Sequence, residues 1–391
     1  MNQSKCLCCN DSVIKLLDLG PQPLANDLKK IESESFILEN LGVAYCNNCG
    51  HLQLTDFVNP DVLFKNYLYV SGTSSTLRDY FSWMAALIAR EFQPNSLLDV
   101  ASNDGSFLKA CGDANIQSVG VDPAENLVDF ANREGFTTYQ GFFPSDMPND
   151  SKYDFITAMN VCAHTPNPFN FLLGVKEYLT ENGMAWIQTS QADMVKKGEF
   201  DTIYHEHYSF FSPKSMSALC ERVGLKLRKV YTSNIHGGSF VFLISHVDSM
   251  TLIPDLLNEN FIVSEVDLNV RPSQSDFIDF AEYSKVTINS FKNNIKKYKG
   301  SIPMVWVGIA AKSVTFINST GCKFDMYLDE APLKIGNLLP GHSQRIQGFE
   351  AIEKLDDCLI FIGAWNFKDE IMKKLELYRA EKNDVVILPF E

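Results

Sequence analysis

The stretch SLLDVASNDGSFLKA, residues 96–110, decides the fold. Leu97, Leu98 and Val100 form a short apolar run of the kind buried in a parallel sheet. The small and polar residues Ala101 to Gly105 then end it in a tight turn, and a helix starts near Gly105. Strand, turn and helix in this order bring a ligand to the carboxyl end of the first strand of an α/β fold. The turn lacks the GK[ST] of a Walker loop and the G-x-G-x-x-G of dinucleotide sites.

Working outward, the next strand, SVGVD, ends in Asp122, seventeen residues beyond Gly105. An acidic side chain there can accept hydrogen bonds from both hydroxyls of a ribose. Strands at DFITAMN (154–160) and MAWIQTS (184–190) are separated by helical patterns such as FNFLLGVKEYL (169–179), so the β-α-β-α order implies a mainly parallel sheet. No third glycine or lysine is supplied for phosphates, so a nucleoside cofactor without a pyrophosphate suits the turn. S-adenosylmethionine (SAM) is such a cofactor. Asp99 or Asp122 alone is the turn-forming acid common at strand ends, and it is the pair flanking Ser102-Asn103-Asp104-Gly105 that carries the cofactor reading.

A chain of 391 residues with 45% apolar content is expected to form two or three domains. The formal charge of −14 argues against nucleic acid, whose phosphates need basic faces. Apolar runs such as CLIFIGAW (358–365) are too short to span a bilayer, and the start MNQSKCLC has neither a basic stretch nor a secretory core. No membrane association and a cytoplasmic location are therefore expected. No coiled-coil heptads announce an oligomer, so the oligomeric state is not legible.

Ten cysteines are unevenly placed: five precede residue 50, and Cys111, Cys162, Cys220, Cys322 and Cys358 are isolated. Cys6-x-x-Cys9 and Cys46-x-x-Cys49 each offer two thiolates from one turn, and Gly50 suits a knuckle with positive φ. Four cysteines without an open position make a structural zinc site, and Cys8 is excluded from it by spacing. Reduced, unliganded thiols or a redox pair are the alternative.

The stretch FDTIYHEHYSFFS (200–212) gathers Tyr204, His205, Glu206, His207 and Tyr208. Ser209 breaks the H-E-x-x-H pattern, so a catalytic zinc is not expected there. In an extended run Tyr204, Glu206 and Tyr208 face one way and the two histidines the other. Ser212 and Pro213 start a helix, along which Met216, Leu219, Cys220 and Val223 recur until Gly224 closes it. A single histidine is more often structural, and the clustering is what favours chemistry.

Taken together, the two C-x-x-C pairs, GPQPLAN (20–26), LYVSGTSSTLRDYF (68–81), DVASNDGSF, NVCAHTPN (160–167), EFDTIYHEHYSFFS and IHGGSF (235–240) resemble the SAM-dependent C-methyltransferases of nucleotide-linked keto-deoxysugars. The resemblance covers essentially the whole chain and is densest from 96 to 240. It implies two Rossmann-like three-layer α/β domains plus a small zinc-binding domain, with boundaries at 1–75, 76–250 and 251–391. The tail agrees: MVWVG, IAAKSVTFINS, FDMYLDEAPLKIGNLLPGHSQRI, LIFIGAWNFKDEIMKKL and DVVILPF form a second β-α alternation.

The resemblance also assigns roles. Tyr204, Glu206 and His207 sit by the transferred methyl, with His207 as the base, and Tyr67, Tyr69, Ser71 and Gly72 approach the same place. Tyr69, His164 and His236 are the next candidates for the base. SAM contacts are implied for Asp99, Ala101, Ser102, Asn103, Asp104, Gly105, Asp122, Gly141, Phe142, Phe143, Asn160, Val161 and His164. The nucleotide sugar falls to Tyr67, His236, Gly237, Gly238, Lys312, Lys334 and His342, and zinc to Cys6, Cys9, Cys46 and Cys49. Each lysine taken singly is more often a solvated surface charge.

Four departures bear on the substrate more than on the chemistry, one of them the C-terminal VGIAAKS (307–313), less glycine-rich than is usual. Ala101 replaces the first glycine of the general SAM motif, a position that requires only a small residue if the backbone φ there is negative. Phe240-Val241 stands where a Leu-Arg pair is common, and Gln188 and Gln191 replace more apolar residues. The expected activity is methylation of an activated carbon of a 4-keto-deoxysugar. An O- or N-methyltransferase of another small acceptor, or a non-catalytic SAM- and zinc-binding scaffold, is the alternative.

Overall fold

The computed structural model describes residues 5–31, 34–65, 71–148, 151–190 and 193–390. They fall into two compact units, each assembled from separated stretches of chain. The first comprises residues 1–15, 44–193 and 206–273, and the second comprises 16–43, 194–205 and 274–391.

The first unit is built on an eight-stranded sheet. Its strands are β1 (Leu97–Val100), β2 (Ser118–Asp122), β3 (Thr138–Gln140), β4 (Tyr153–Met159), β5 (Leu179–Ser190), β6 (Leu225–Ser233), β7 (Ser239–His246) and β8 (Ile262–Val266). They lie in the order β8-β6-β7-β5-β4-β1-β2-β3. Pairing is parallel from β3 across to β5, and β7 runs antiparallel to both β5 and β6. The order of connection reverses between β1 and β4. That reversal leaves a crevice at the carboxyl ends of the strands, where open α/β sheets take their ligands.

Side-chain alternation produces two cores. Leu98 and Val100, Ile156 and Ala158, Ala185 and Ile187 point into one of them, and Leu97, Phe155, Met184 and Trp186 point into the other. Helices α1 (Ser75–Glu91) and α2 (Ser106–Asp113) cover the second face, while α4 (Pro168–Tyr178) and α5 (Pro213–Val223) cover the first. Helix α3 (Glu125–Arg133) joins β2 to β3. Strands buried on both faces explain the near-continuous apolar runs of the sequence.

The second unit carries a five-stranded, all-parallel sheet. Its strands are β9 (Met304–Val307), β10 (Met326–Leu328), β11 (Ile346–Gln347), β12 (Leu359–Ile362) and β13 (Val385–Ile387), in the order β11-β10-β9-β12-β13. Helices α6 (Gln274–Lys296), α7 (Ala311–Thr320) and α8 (Lys368–Arg379) complete it. Here the reversal falls between β9 and β12. The buried Arg379 is held by Asp384 at 2.6 Å and donates to the carbonyls of Ile352, Leu355 and Asp356, so its charge is fully paired.

Helix α5 starts and stops where the sequence says it should. Ser212 caps it by accepting from Ser215 N at 3.2 Å, Ser215 Oγ returns the bond to Ser212 N at 2.9 Å, Pro213 opens the first turn, and Gly224 ends it at φ 73°. Ser212→Ala is expected to lower the unfolding free energy by about 1 kcal/mol, read from denaturant titration. An unchanged midpoint would show that the cap does not contribute.

Candidate active site and zinc centre

The turn after β1 is built from left-handed residues. Ala101, Asn103 and Gly105 adopt φ of 58°, 53° and 78°. Ala101 thus falls outside the negative-φ condition under which any small residue would serve, and its Cβ costs roughly 1–2 kcal/mol in that conformation. The fold tolerates this because Ala101 N and Ser102 N both donate to Val121 O, at 2.7 and 3.2 Å, tying the turn to β2. At Gly105 no side chain fits, since a Cβ would lie 2.7 Å from the Phe136 ring.

Asp122, at the end of β2, takes Asn103 N on Oδ2 at 2.9 Å and Ala124 N on Oδ1 at 2.8 Å. Each oxygen retains acceptor capacity, which suits two ribose hydroxyls. Burial pushes its pKa up from 3.8 to about 6, opposed by the amides of Ala124 and Asn103. Asp104 accepts from Gly72 N at 3.0 Å and Ser106 N at 3.2 Å, and Asn103 Oδ1 accepts from Ser71 N at 3.0 Å. The Ser71-Gly72 segment is thus clamped onto the turn, and a Cβ at Gly72 would lie 2.3 Å from Ser106 Oγ. Tyr67, Tyr69 and Gln191 lie outside the described residues.

Asp99 is placed differently from its neighbours. It lies within β1, its Oδ1 accepts from Thr157 Oγ1 at 2.7 Å, and burial raises its pKa to about 7. Its carboxyl ties β1 to β4.

Other expected residues gather at the same edge of the sheet. Gly141 donates to Asp122 O at 3.0 Å, and Phe142 N donates to Asp146 Oδ2 at 2.7 Å. Phe143 turns away to pack on Phe171 and Tyr178, with centroids at 5.3 and 5.8 Å. Asn160, at φ 59°, donates to Gln188 O at 2.8 Å and accepts from Ser190 N at 2.9 Å, which joins the ends of β4 and β5. Gln188 takes the Tyr80 hydroxyl on Oε1. His236, Gly237 and Gly238 are three consecutive positive-φ residues, at 56°, 80° and 121°, leading into Ser239, which pairs with Ser190. The HGG turn, Ser190 and Asn160 therefore meet at the carboxyl edge.

His207 joins them through His164. The short turn Cys162–His164, preceded by Val161, follows β4, and the His164 ring lies 5.0 Å from His207 and stacks on Phe64 at 5.6 Å. Burial lowers the His164 pKa to about 4, so it is neutral at physiological pH. His207 also meets the Phe210 ring edge-on at 5.9 Å. Of the loop and the extended run that the sequence left open over 204–208, the structure has the loop: the chain turns at His205 and Glu206, and strand begins only at Ser209–Phe210. Tyr208 donates to Val58 O at 2.6 Å. Tyr204 and His205 belong to the second unit, where His205 Nε2 meets Glu39 O at 3.2 Å, and the buried Glu206 and His207 belong to the first.

In the second unit, Lys334 is already engaged, with Asp329 Oδ2 at 3.1 Å and Ile309 O at 2.8 Å. Lys312 lies 4.0 Å over the Trp365 ring. His342 lies against Tyr327 at 5.7 Å, and burial with nearby Lys323 lowers its pKa to about 4. Asp329, unremarked in the sequence, repeats the Asp122 arrangement by accepting from Ile309 N at 2.7 Å and Ala331 N at 2.9 Å. Its signal was present, an acid closing a short apolar strand.

The Sγ atoms of Cys6, Cys9, Cys46 and Cys49 all lie within 4.8 Å of one another. The pairs Cys6–Cys49 and Cys9–Cys46 are 3.5 and 3.4 Å apart, near the tetrahedral edge of about 3.8 Å that Zn–S bonds of about 2.3 Å produce, and far from a disulfide. Asn10 N and Gly50 N close the two knuckles onto the carbonyls of Cys6 and Cys46, each at 2.9 Å. Arg222 donates to Leu7 O and Cys8 O, and Arg271 to Asn47 O, which places cations beside a site that is dianionic when zinc is bound. Cys8 is buried outside this set, and burial raises its thiol pKa.

The comparisons with known proteins follow the chain from end to end. A zinc binding domain profile matches residues 6–64, a methyltransferase domain profile matches 74–230, and a C-methyltransferase C-terminal domain profile matches 234–389. The C-methyltransferase NovU of Streptomyces niveus is 25% identical over 94% of this chain and 90% of its own length. Among solved structures, the plantazolicin methyltransferase BpumL with S-adenosylhomocysteine (SAH) is similar over 42% of this chain and 82% of its own, at 15% identity and a TM-score of 0.36. A TehB-like SAM-dependent methyltransferase from Corynebacterium glutamicum is similar over 42% and 88%, at 17% identity and 0.34. These two likenesses are too partial to define the fold.

The methyltransferase domain matched over residues 74–230, which contains the strands on either side of the switch point, makes the protein a SAM-dependent methyltransferase. With the cysteine centre before it and the C-methyltransferase C-terminal domain after it, the chain has the domain combination of a C-methyltransferase with an N-terminal zinc-binding domain. Among the described residues, no helix is long and apolar enough to cross a membrane.

Two measurements follow from this geometry. Elemental analysis of purified protein is expected to find one zinc per chain, with Cys49→Ser losing most of it; a full complement in that variant would remove Cys49 from the centre. The second concerns pH. Asp122 holds its proton more tightly when folded, so its stabilising contribution is complete below 3.8 and is lost as pH rises through about 6. Cofactor binding has the opposite sign, because the carboxylate must be ionised to accept two hydroxyls. Calorimetric affinity for SAH is expected to fall roughly tenfold per unit below about pH 6. A flat profile would mean that Asp122 does not hold the ribose.

Proposed function

We propose that this C-methyltransferase transfers methyl to the carbon beside the ketone of a nucleotide-linked 4-keto-deoxysugar. The reading divides the chain at about residues 75 and 250 into zinc-binding, SAM-binding and nucleotide-sugar-binding modules. The observation that carries it is the His207 ring, 5.0 Å from a neutral His164 whose turn follows β4 at the edge where Asp122 and the turn after β1 also lie. NovU, by its name a C-methyltransferase, supports transfer to carbon.

Carbon becomes nucleophilic only after a proton leaves it, and an adjacent carbonyl makes that proton acidic. An imidazole nitrogen of His207 takes the proton as general base. Tyr204 donates its hydroxyl to the oxygen on which negative charge develops, and Glu206 orients the base or the sugar hydroxyls. His164, neutral and in ring contact, adds no positive charge that would oppose protonation of His207. Bound SAM supplies an electrophilic methyl on sulfur. Asp122 and the turn from Ala101 to Gly105 hold its nucleoside, Gly141, Phe142 and Asn160 border it, and the HGG turn and Lys312 act on the sugar nucleotide.

The test is exchange of the substrate's α proton with heavy water, followed by proton NMR without turnover. Exchange is expected in the wild type and to fall by at least about 100-fold in His207→Ala, with SAH affinity retained. Undiminished exchange in the variant would place the base elsewhere. Its absence from the wild type, with turnover intact, would remove the enolate.

A further inference from the structure

Three side chains of the second unit form a connected group to which the sequence assigned no joint role. Asp201, 1% exposed, lies in the short turn Phe200–Thr202. Its Oδ2 accepts from Trp365 Nε1 at 2.9 Å, and its Oδ1 is buried without a hydrogen-bond partner. On the face of the same indole lies the Lys312 ammonium, 4.0 Å from the ring centroid. One aromatic ring thus links a buried carboxylate at its N–H edge to a cation on its face.

The group stands at a place where the fold collects ligands. Lys312 is in the first turn of α7, directly after β9 and Gly308, and Trp365 follows β12. Strands β9 and β12 are the neighbours between which the connection of this sheet reverses, and ligands of open parallel sheets bind at the carboxyl ends of such a pair. The N-cap of α7, Ala310, has no side chain to cap the first amides. Lys334, at the same end, has its ammonium on Asp329 and Ile309 O. Lys312 is therefore the lysine there whose ammonium rests on a ring face.

A flexible four-carbon chain holds no fixed position without help. A cation over an indole gains about 0.5–2 kcal/mol, but only while the ring keeps its orientation. A buried carboxylate can supply that orientation, because a hydrogen bond to a charged acceptor is about twice as strong as a neutral one. Burial pushes the Asp201 pKa up, and the nearby Lys312 charge, the Trp365 N–H and the amides of Asp201 and Thr202 oppose that rise.

We propose that Asp201 is a positioning residue: it fixes the Trp365 indole through its N–H so that Lys312 is held at the carboxyl edge of the second sheet, ready to meet the diphosphate of the sugar nucleotide. This rests on the reading that the second unit binds that substrate. The role belongs to orientation, so an acceptor of the same shape serves nearly as well.

The experiment measures equilibrium binding of UDP, TDP, CDP and GDP, together with KM and kcat for a sugar nucleotide that the wild type turns over. Asp201→Ala and Trp365→Phe, the second of which keeps an aromatic face but loses the pyrrole half of the indole with its N–H, are expected to weaken nucleoside diphosphate binding and raise KM about tenfold, with kcat and SAH affinity retained. Asp201→Asn, which still accepts from the indole, is expected to restore most of the loss. Wild-type affinity and KM in both Asp201→Ala and Trp365→Phe, with Lys312→Ala weakened, would overturn the positioning role and leave the substrate reading standing. Wild-type protein that binds no nucleoside diphosphate would overturn both.

Discussion

The first unit depends on how one buried carboxylate is satisfied. Asp122 is 5% exposed, and an unpaired charge at that depth would be costly. Two backbone amides, Asn103 N and Ala124 N, compensate it from opposite sides. To deliver Asn103 N, the turn after β1 must reverse within five residues, which forces Ala101, Asn103 and Gly105 into left-handed conformations. The same reversal presents Asn103 and Asp104 to the amides of Ser71 and Gly72. A single acceptor thus sets the turn and draws a distant segment onto it.

The second unit uses the device again with one change. Asp329 accepts from Ile309 N and Ala331 N as Asp122 does from its two amides, and it also takes the Lys334 ammonium. The added cation neutralises the carboxylate that in the first unit remains available to hydroxyls. Equivalent positions at the ends of parallel strands in the two sheets are thereby given different chemistry by one lysine.

Much of this was legible in the sequence, where the determinants are local. The apolar runs around Leu97, Ile156 and Ile187 announced a sheet covered on both faces, the two C-x-x-C turns announced the metal centre, and Ser212-Pro213 with Gly224 bounded α5. What escaped was set by partners far along the chain. The left-handed turn at Ala101 is fixed by acceptors on the next strand, Val121 O and Asp122, and the engagement of Lys334 by Asp329 and Ile309. Asp201 and Trp365, 164 positions apart, have no shared local signal. The membership of residues 16–43 and 194–205 in the second unit is likewise a matter of packing, because neither stretch carries a compositional break.

These contacts place the turn after β1, Asp122 and the His164–His207 ring pair in the first unit, and the proposed function makes them the means of rendering a carbon nucleophilic beside a methyl donor. The most direct test is to supply SAM labelled isotopically in its methyl group with a nucleotide-linked 4-keto-deoxysugar and to locate the label in the product by NMR. Couplings that join the labelled methyl to a ring carbon next to the ketone are the expected result. A label attached to oxygen or nitrogen would contradict the account.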